Sequence, residues 1–387
     1  MSAAIDRWHL ITGEYPPRLG GVSDYTRAVA AGLALNGCDV HVWCPDSGKP
    51  PLDPGVTVHP VAGTWSSADL RRVDALLDAE PAPRRLLVQW VPHAFGQRSL
   101  NVRFCAWVRS RGRRGDRVDL MVHEAYHAFG EGSWRQDVAA AVHRVMVTLL
   151  LQATTRAWVA IPAWADRLRG YTWGRNVAFC WLPVPSNVPV DRDRPAVAAM
   201  RARLPDLSVI VGHFGTFDVG SRRDLLETLP AVLDADRSVG VLLIGRDSDM
   251  FRDAFKSAHP AHAPRVAATG AVSLASLSHA LQSCDLVAQP YPDGASARRT
   301  TLMAALAHGV PAVTTIGRLS ERLWAESGAV VTVSAGDLRA FSAAVVALAD
   351  DAGARRLIGA RGLELYAQRF DLPHVIDGLL ADRCEAV

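Results

Sequence analysis

The chain has 387 residues, 49% of them hydrophobic and 21% charged, the profile of a globular protein long enough for two buried cores. Lys+Arg exceed Asp+Glu by 42 − 39 = +3, a balance that argues against a nucleic-acid partner. The six cysteines lie far apart without a C-x-x-C pair, so buried free thiols are expected, with neither a disulfide framework nor a zinc site. The opening residues, MSAAIDRWHLIT, lack the basic segment and long apolar core of a secretory signal, which makes the cytoplasm the default compartment. The most hydrophobic window, 138–161, is interrupted by His143, Arg144, Gln152 and Arg156 and does not read as a membrane span.

Taken in order, the chain alternates strands and helices. A short strand over 8–12 runs into a loop with two prolines and Gly20-Gly21, then a helix over about 22–36 that Asn36-Gly37 stops. Strands follow at 39–44 and 56–61, then a helix over about 67–79 capped by Ser66 or Ser67. A buried strand over 85–91 precedes a loop, and a helix (100–110), a strand (118–123), a long helix (136–152) and strands at 157–161 and 177–182 complete the first half. The segment 182–195, rich in proline and charge, reads as an interdomain linker. The alternation then resumes, with strands at 209–214, 239–245, 266–269, 286–291, 312–315 and 329–333 and helices between them, before two closing helices over 352–369 and 372–381. Such alternation predicts α/β architecture: two Rossmann-like, doubly wound parallel sheets covered on both faces. In such sheets ligands bind beyond the C-terminal strand ends, and two of them facing a cleft make a small-molecule site.

The stretch Gln289–Thr315, QPYPDGASARRTTLMAALAHGVPAVTT, carries the chemistry. It reads as strand, turn, basic loop, helix, Gly309 stop and strand. A helix opening at Thr300 and Thr301 presents backbone amides and partial positive charge, and Arg298 and Arg299 add permanently charged forked donors. That combination suits a phosphorylated or nucleotide ligand; a solvated basic turn is the plainer reading.

Several separate strings resemble family 4 (group 1) glycosyltransferases of GT-B fold. EYPPRLGGVSDYT (14–26) resembles the family's first βα loop, in which Gly20 and Gly21 would let the backbone approach the donor diphosphate. LMVHEAY (120–126) resembles the strand ending in a histidine near the transferred sugar, here His123. VIVGHFGTF (209–217) and VGVLLIGRD (239–247) match the first donor-domain strands, and ATGAVSLASLSHALQSCDLVAQPY (268–291) the run from the base-binding loop, with Ala271 and Val272, to the sugar-binding loop. AALAHGVPAVTT (304–315) is close to the family's most recognisable string, and YAQRFDLPHVIDGLL (366–380) to its C-terminal helices.

The resemblance implies an acceptor domain over 1–185, a nucleotide-sugar donor domain over 186–365 and a helical segment, 366–387, returning to the first domain. It implies a hexosyltransferase-type enzyme that uses a nucleotide-diphosphate sugar as co-substrate with retention, no metal and no cofactor. The acceptor is a small molecule, a saccharide or a lipid-linked species, with at most peripheral membrane contact. Catalytic roles fall to His123 and Asp293, and donor contacts to Gly20, Gly21, Thr216, Arg222, Ala271, Val272, Ser296, Arg298, Arg299, Thr300 and Thr301.

The chain also departs from the family pattern. The two glutamates that usually flank a nine-residue stretch are Ser296 and Ala304 here, which places it in a subgroup lacking that pair and leaves Asp293 as the sugar-side carboxylate. Thr216 and Ser221 stand where an arginine and a lysine usually meet the diphosphate, so Arg298 and Arg299 are placed to restore the charge. Two readings stay open for several residues. Gly20-Gly21 is a helix-opening turn or a phosphate approach, and His123 a structural histidine or a sugar ligand. The basic run Arg109, Arg111, Arg113, Arg114, Arg117 is a solvated loop or an anionic-membrane contact. Trp65 and Trp134, read as loop residues, are candidates for stacking on an acceptor. Two other functions stand beside the transferase: a nucleotide-sugar epimerase of the same fold, and a catalytically silent binding subunit.

Overall fold

A computed structural model describes residues 6–130, 133–381, 385 and 387. Unit 1 comprises Met1–Val184 together with Leu372–Val387, and unit 2 comprises Pro185–Asp371. Each is built on one parallel sheet.

Unit 1 runs β1 (Arg7–Thr12), α1 (Gly21–Leu35), β2 (Asp39–Pro45), β3 (Val56–Ala62), α2 (Ser67–Asp78), β4 (Arg85–Trp90), α3 (Val102–Arg113), β5 (Arg117–Val122), α4 (Trp134–Leu151), β6 (Thr154–Val159), α5 (Pro162–Arg169) and β7 (Ala178–Trp181). The strand order β3-β2-β1-β4-β5-β6-β7 reverses direction between β1 and β4. The central strands are apolar along their length because helices cover both faces; Leu10, Ile11, Val88 and Val122 are fully buried. Unit 2 runs α6 (Arg194–Arg201), β8 (Val209–Phe214), α7 (Val219–Ala235), β9 (Val239–Ile244), α8 (Ser248–Ala258), β10 (Val266–Ala268), α9 (Leu274–Ser283), β11 (Leu286–Gln289), α10 (Thr300–Ala307), β12 (Ala312–Ile316), α11 (Leu323–Glu326), β13 (Val331–Ser334), α12 (Leu338–Asp350) and α13 (Ala352–Arg369). Its order is β10-β9-β8-β11-β12-β13, with the reversal between β8 and β11. α14 (Leu372–Leu380) belongs to unit 1, where it packs on α1. Gly32 permits that approach, since a Cβ there would lie 2.7 Å from the Ile376 side chain.

Three short helices escaped the sequence pattern: α5, α6 and α11. α6 opens inside the segment read as linker, where the Asp193 carboxylate accepts from the Ala196 amide and Pro195 sits in the first turn. Trp65, a stacking candidate in sequence, is a core residue instead: it is 1% exposed and meets Phe95 and Phe104 edge-on. Trp134 opens α4 rather than lying in a loop, and it is exposed. Cys38, Cys44, Cys105 and Cys284 are buried free thiols, but Cys180 is disulfide-bonded, contrary to the expectation of no disulfide. Cys384 lies outside the described residues.

Within the basic run, Arg111, Arg114 and Arg117 are ion-paired rather than free cations, while Arg113 is exposed. The Arg111 guanidinium is 1% exposed and donates to Asp116 (2.5 Å), Asp78 (2.6 Å) and Asp74 (3.0 Å). Arg114 pairs with the same Asp74 and Asp78, Arg84 reaches Asp116 (3.2 Å), and Arg117 reaches Asp119 (3.1 Å). Carboxylates from α2, the α3–β5 turn and β5 thus offset the charges of Arg111, Arg114 and Arg117. Among the described residues, no helix is long and apolar enough to cross a membrane.

Candidate active site

In unit 2 the strand order reverses between β8 and β11, and the loops leaving those strands diverge to opposite faces of the sheet. A crevice at such a point is where doubly wound sheets receive ligands. The loop after β11 is held by the end of β12. Thr314 Oγ1 donates to the Gln289 carbonyl (2.9 Å), and Thr315 Oγ1 accepts from Tyr291 N (2.9 Å) and donates to Tyr291 O (2.6 Å). Gly294 then turns with φ +87°, and a Cβ there would strike Gly317 N and Ser320 Oγ. Gly294→Ala is therefore expected to lower the melting temperature by several degrees, because the turn must open to admit the methyl group; a thermal melt checks it.

Past this turn the chain delivers Ser296, Arg298 and Arg299 to the N-terminus of α10. Asp293 lies among arginines: Arg318 Nε donates to it at 2.8 Å, and Arg298 and Arg299 stand at 3.8 and 4.0 Å. The residue read as the sugar-side carboxylate thus sits within a triangle of guanidinium groups that it helps to space. Arg299 also lies over the Tyr291 ring (4.7 Å), whose hydroxyl meets Thr301 Oγ1 at 2.7 Å. The loop after β8 comes alongside. A Cβ on Gly220 would lie 3.8 Å from Pro292, and the Arg299 charge helps to lower the Asp218 pKa, after the larger effect of the Ser221 amide. Asp218 caps α7 through Ser221 N (3.0 Å), and Arg222 donates to the Phe217 carbonyl (2.6 Å). Thr216 is exposed on the same loop. Ala271 and Val272 follow β10, which stands two strands from β8, roughly 10 Å away at ordinary strand spacing.

At this end of unit 2, His213 Nε2, Gln289 Oε1, Ser296 Oγ and Arg299 Nε are buried without a hydrogen-bond partner. His213 is held by its other nitrogen, Nδ1, against the Ala288 carbonyl (2.8 Å), and burial pushes its pKa down to about 4, so the ring is neutral at pH 7. Buried polar groups in a folded domain are nearly always satisfied, so a cluster of exceptions at a strand-order reversal points to a ligand. A depression of about 660 Å³ elsewhere in unit 2, near Arg201 and Arg355, is a poorer candidate. It lies at the N-terminal strand ends, and two of its arginines are engaged: Arg201 with Asp285 and Ser283 O, Arg355 with Leu348 O and Ala349 O.

Sequence reasoning missed Glu321, in the loop after β12. Both its carboxylate oxygens accept from Ala297 N (3.0 and 3.3 Å), and Oε2 also accepts from the Trp324 indole (2.6 Å). Burial raises its pKa from 4.5 to about 7, against the opposing pull of those donors and of Arg298. A carboxyl whose folded pKa exceeds its unfolded one contributes stability fully below about pH 4.5, and loses it as pH rises through about 7. The melting temperature of the wild type relative to Glu321→Gln is thus expected to fall between pH 5 and 8, as read by parallel thermal melts.

In unit 1 the corresponding loop follows β1. Gly20 has an extended backbone open to any residue (φ 173°), but a Cβ there would collide with the Glu14 carboxylate. Glu14 Oε1 accepts from Ser23 N (3.1 Å) in the first turn of α1, so a side-chain carboxylate already stands at the helix N-terminus where the sequence suggested a diphosphate. Gly21 faces open space. His123, just past β5, is 8% exposed; its Nε2 meets Gln89 Oε1 at 2.9 Å and its ring packs edge-on against Tyr25. Burial lowers its pKa to about 3, so it is a neutral hydrogen-bonding group and not a proton reservoir at pH 7.

The two doubly wound parallel sheets, each with a strand-order reversal, define the class: a GT-B fold. Residues 208–351, inside unit 2, match the family model described as Glycosyl transferases group 1. No curated protein matches the chain in sequence. Among solved structures, a sucrose-phosphate synthase from Thermosynechococcus elongatus is similar at 18% identity and TM-score 0.71, over 97% of this chain and 98% of that one. A glycosyltransferase from Rickettsia africae is similar at 11% identity and TM-score 0.73, over 98% of both chains. HepE from Anabaena, solved in complex with UDP-glucose, is similar at 14% identity and TM-score 0.67, over 97% of this chain and 98% of that one. At these identities the likeness is one of fold. At the level of sequence, the match to that family model is confined to residues 208–351.

Proposed function

We propose that this protein transfers a hexose-type unit from a nucleotide-diphosphate sugar to an acceptor hydroxyl, with unit 2 holding the donor. The observation that carries this reading is the group of buried polar atoms without partners at the β8/β11 reversal, beside Arg298, Arg299 and the start of α10. The UDP-glucose complex of the structurally similar HepE supports a nucleotide-sugar donor. In the proposed step the bond between the sugar C1 and the diphosphate oxygen breaks, and its electron pair leaves on the nucleoside diphosphate. The acceptor oxygen bonds to C1 with retention of configuration, and its proton passes to the departing diphosphate oxygen. The arginines and helix amides stabilise the charge that develops on the leaving group, a role a metal ion plays in other transferases. Neutral His123 of unit 1 is suited to hydrogen bonding a sugar hydroxyl.

Purified protein would be screened against UDP-, GDP-, ADP- and dTDP-sugars by thermal shift and calorimetry. Saturable binding of one of them is expected. Folded protein that binds none would sink the reading in favour of a silent subunit.

A further inference from the structure

We propose that Glu321 is a positioning residue that sets the Ser296–Arg299 turn and so aims Arg298 and Arg299 at the phosphates of the donor. This rests on the donor site proposed above for unit 2. Ala297 lies between the two residues whose backbones close the turn, Arg299 N donating to Ser296 O at 2.9 Å. Its own amide points out of the turn and is received by the Glu321 carboxylate, 24 residues further along the chain. The carboxylate is itself fixed: the Trp324 indole donates to Oε2, and that ring is fully buried and stacked on Phe370 at 5.3 Å. The loop bearing Glu321 is tied to the preceding loop a second time, through Leu319 N to Asp293 O (3.1 Å). The result is a brace from the β12–α11 loop to the peptide unit immediately before the two arginines. Burying a carboxylate is costly unless donors receive it, and here the donors are a turn amide and an anchored indole. With both oxygens engaged, Glu321 is not free to shuttle a proton to substrate, which separates a positioning role from an acid–base one.

The test uses the full chain with Glu321→Gln, inorganic pyrophosphate as the anion probe, and hydrogen exchange as a ligand-independent readout. Glutamine offers one carbonyl oxygen to two donors and turns an NH2 toward the other. The proposal expects exchange in the 293–303 backbone to speed up about tenfold or more while the rest of unit 2 is unchanged, and pyrophosphate Kd to rise roughly tenfold. Glu321→Asp keeps the charge but shortens the reach and gives the same two readings, which covers failure of the glutamine variant to fold. Unchanged exchange over 293–303 overturns the proposal whatever the ligand does. Faster exchange with unchanged pyrophosphate affinity overturns the aiming of the arginines. A wild type that binds neither pyrophosphate nor any nucleotide sugar removes the donor-site reading and the aiming with it, while the exchange arm still decides whether Glu321 holds the turn.

Discussion

Arg299→Ala is expected to weaken binding of the nucleotide-sugar donor by roughly 10- to 100-fold, the loss that follows from removing a charge-assisted hydrogen bond worth about 1.5–3 kcal/mol. Arg299 is the natural first choice because its guanidinium is already stacked over Tyr291, beside the start of α10, so little side-chain freedom remains to be lost on binding. Its Nε is buried without a hydrogen-bond partner. Arg298→Ala is expected to act in the same direction. The double variant should lose less than the two separate losses combined, since both groups address one ligand and share Asp293. Lysine at 299 keeps the charge but not the fork, so it should recover only part of the affinity. Calorimetric titration at two salt concentrations decides the matter: the wild type should lose affinity with salt more steeply than either variant. Equal affinities in all of them would place the phosphates elsewhere. Arg356→Ala, an exposed residue at the opposite strand ends, is the matched control and should change nothing.

The second large effect concerns stability. Arg111→Ala is expected to destabilise unit 1 by about 3–5 kcal/mol, the usual loss when one partner of a buried ion pair is removed. The Asp116 side chain is 2% exposed and depends on Arg111 and Arg84, so the truncated variant leaves a buried carboxylate with the longer Arg84 contact alone. Asp74 and Asp78 keep Arg114, are more exposed, and suffer less. Urea unfolding would read the loss as a lower midpoint. Removing the charges together, as in Arg111→Met with Asp116→Asn, should return much of it, because an apolar replacement of a buried pair is often nearly neutral. A single variant within 1 kcal/mol of wild type would show that the network contributes nothing net.

Most strands and long helices were legible because each carries a local signal. Apolar runs bounded by turn residues located β8 and β11 closely, and Gly309, which takes φ +65°, marked the stop of α10. The short helices α5, α6 and α11 were not, since four to eight residues hold too little periodicity to stand out. α6 did have a start signal in Asp193 and Pro195, but its charge and proline content read equally well as a linker. At the site, Arg298, Arg299 and the α10 N-terminus could be read because they are contiguous. Glu321 could not: its contact with Ala297 spans 24 residues and depends on how two loops fold together. Glu14 carries no signal in sequence for the same reason, because only the fold brings it over Gly20. His213 and Gln289 were visible as polar residues inside apolar strands, a signal that means little until the strand order puts them side by side.

The return of α14 to unit 1 has a consequence for how the molecule is made. The chain leaves unit 1 at Val184 and comes back at Leu372, so a ribosome releases all of unit 2 before the segment that covers α1 exists. Domains fold largely as they emerge, and an uncovered apolar helix face is a target for aggregation or a chaperone. The newborn chain therefore passes through an interval in which unit 2 can be finished while α1 waits, with the notch at Gly32 empty, for Ile376 to arrive.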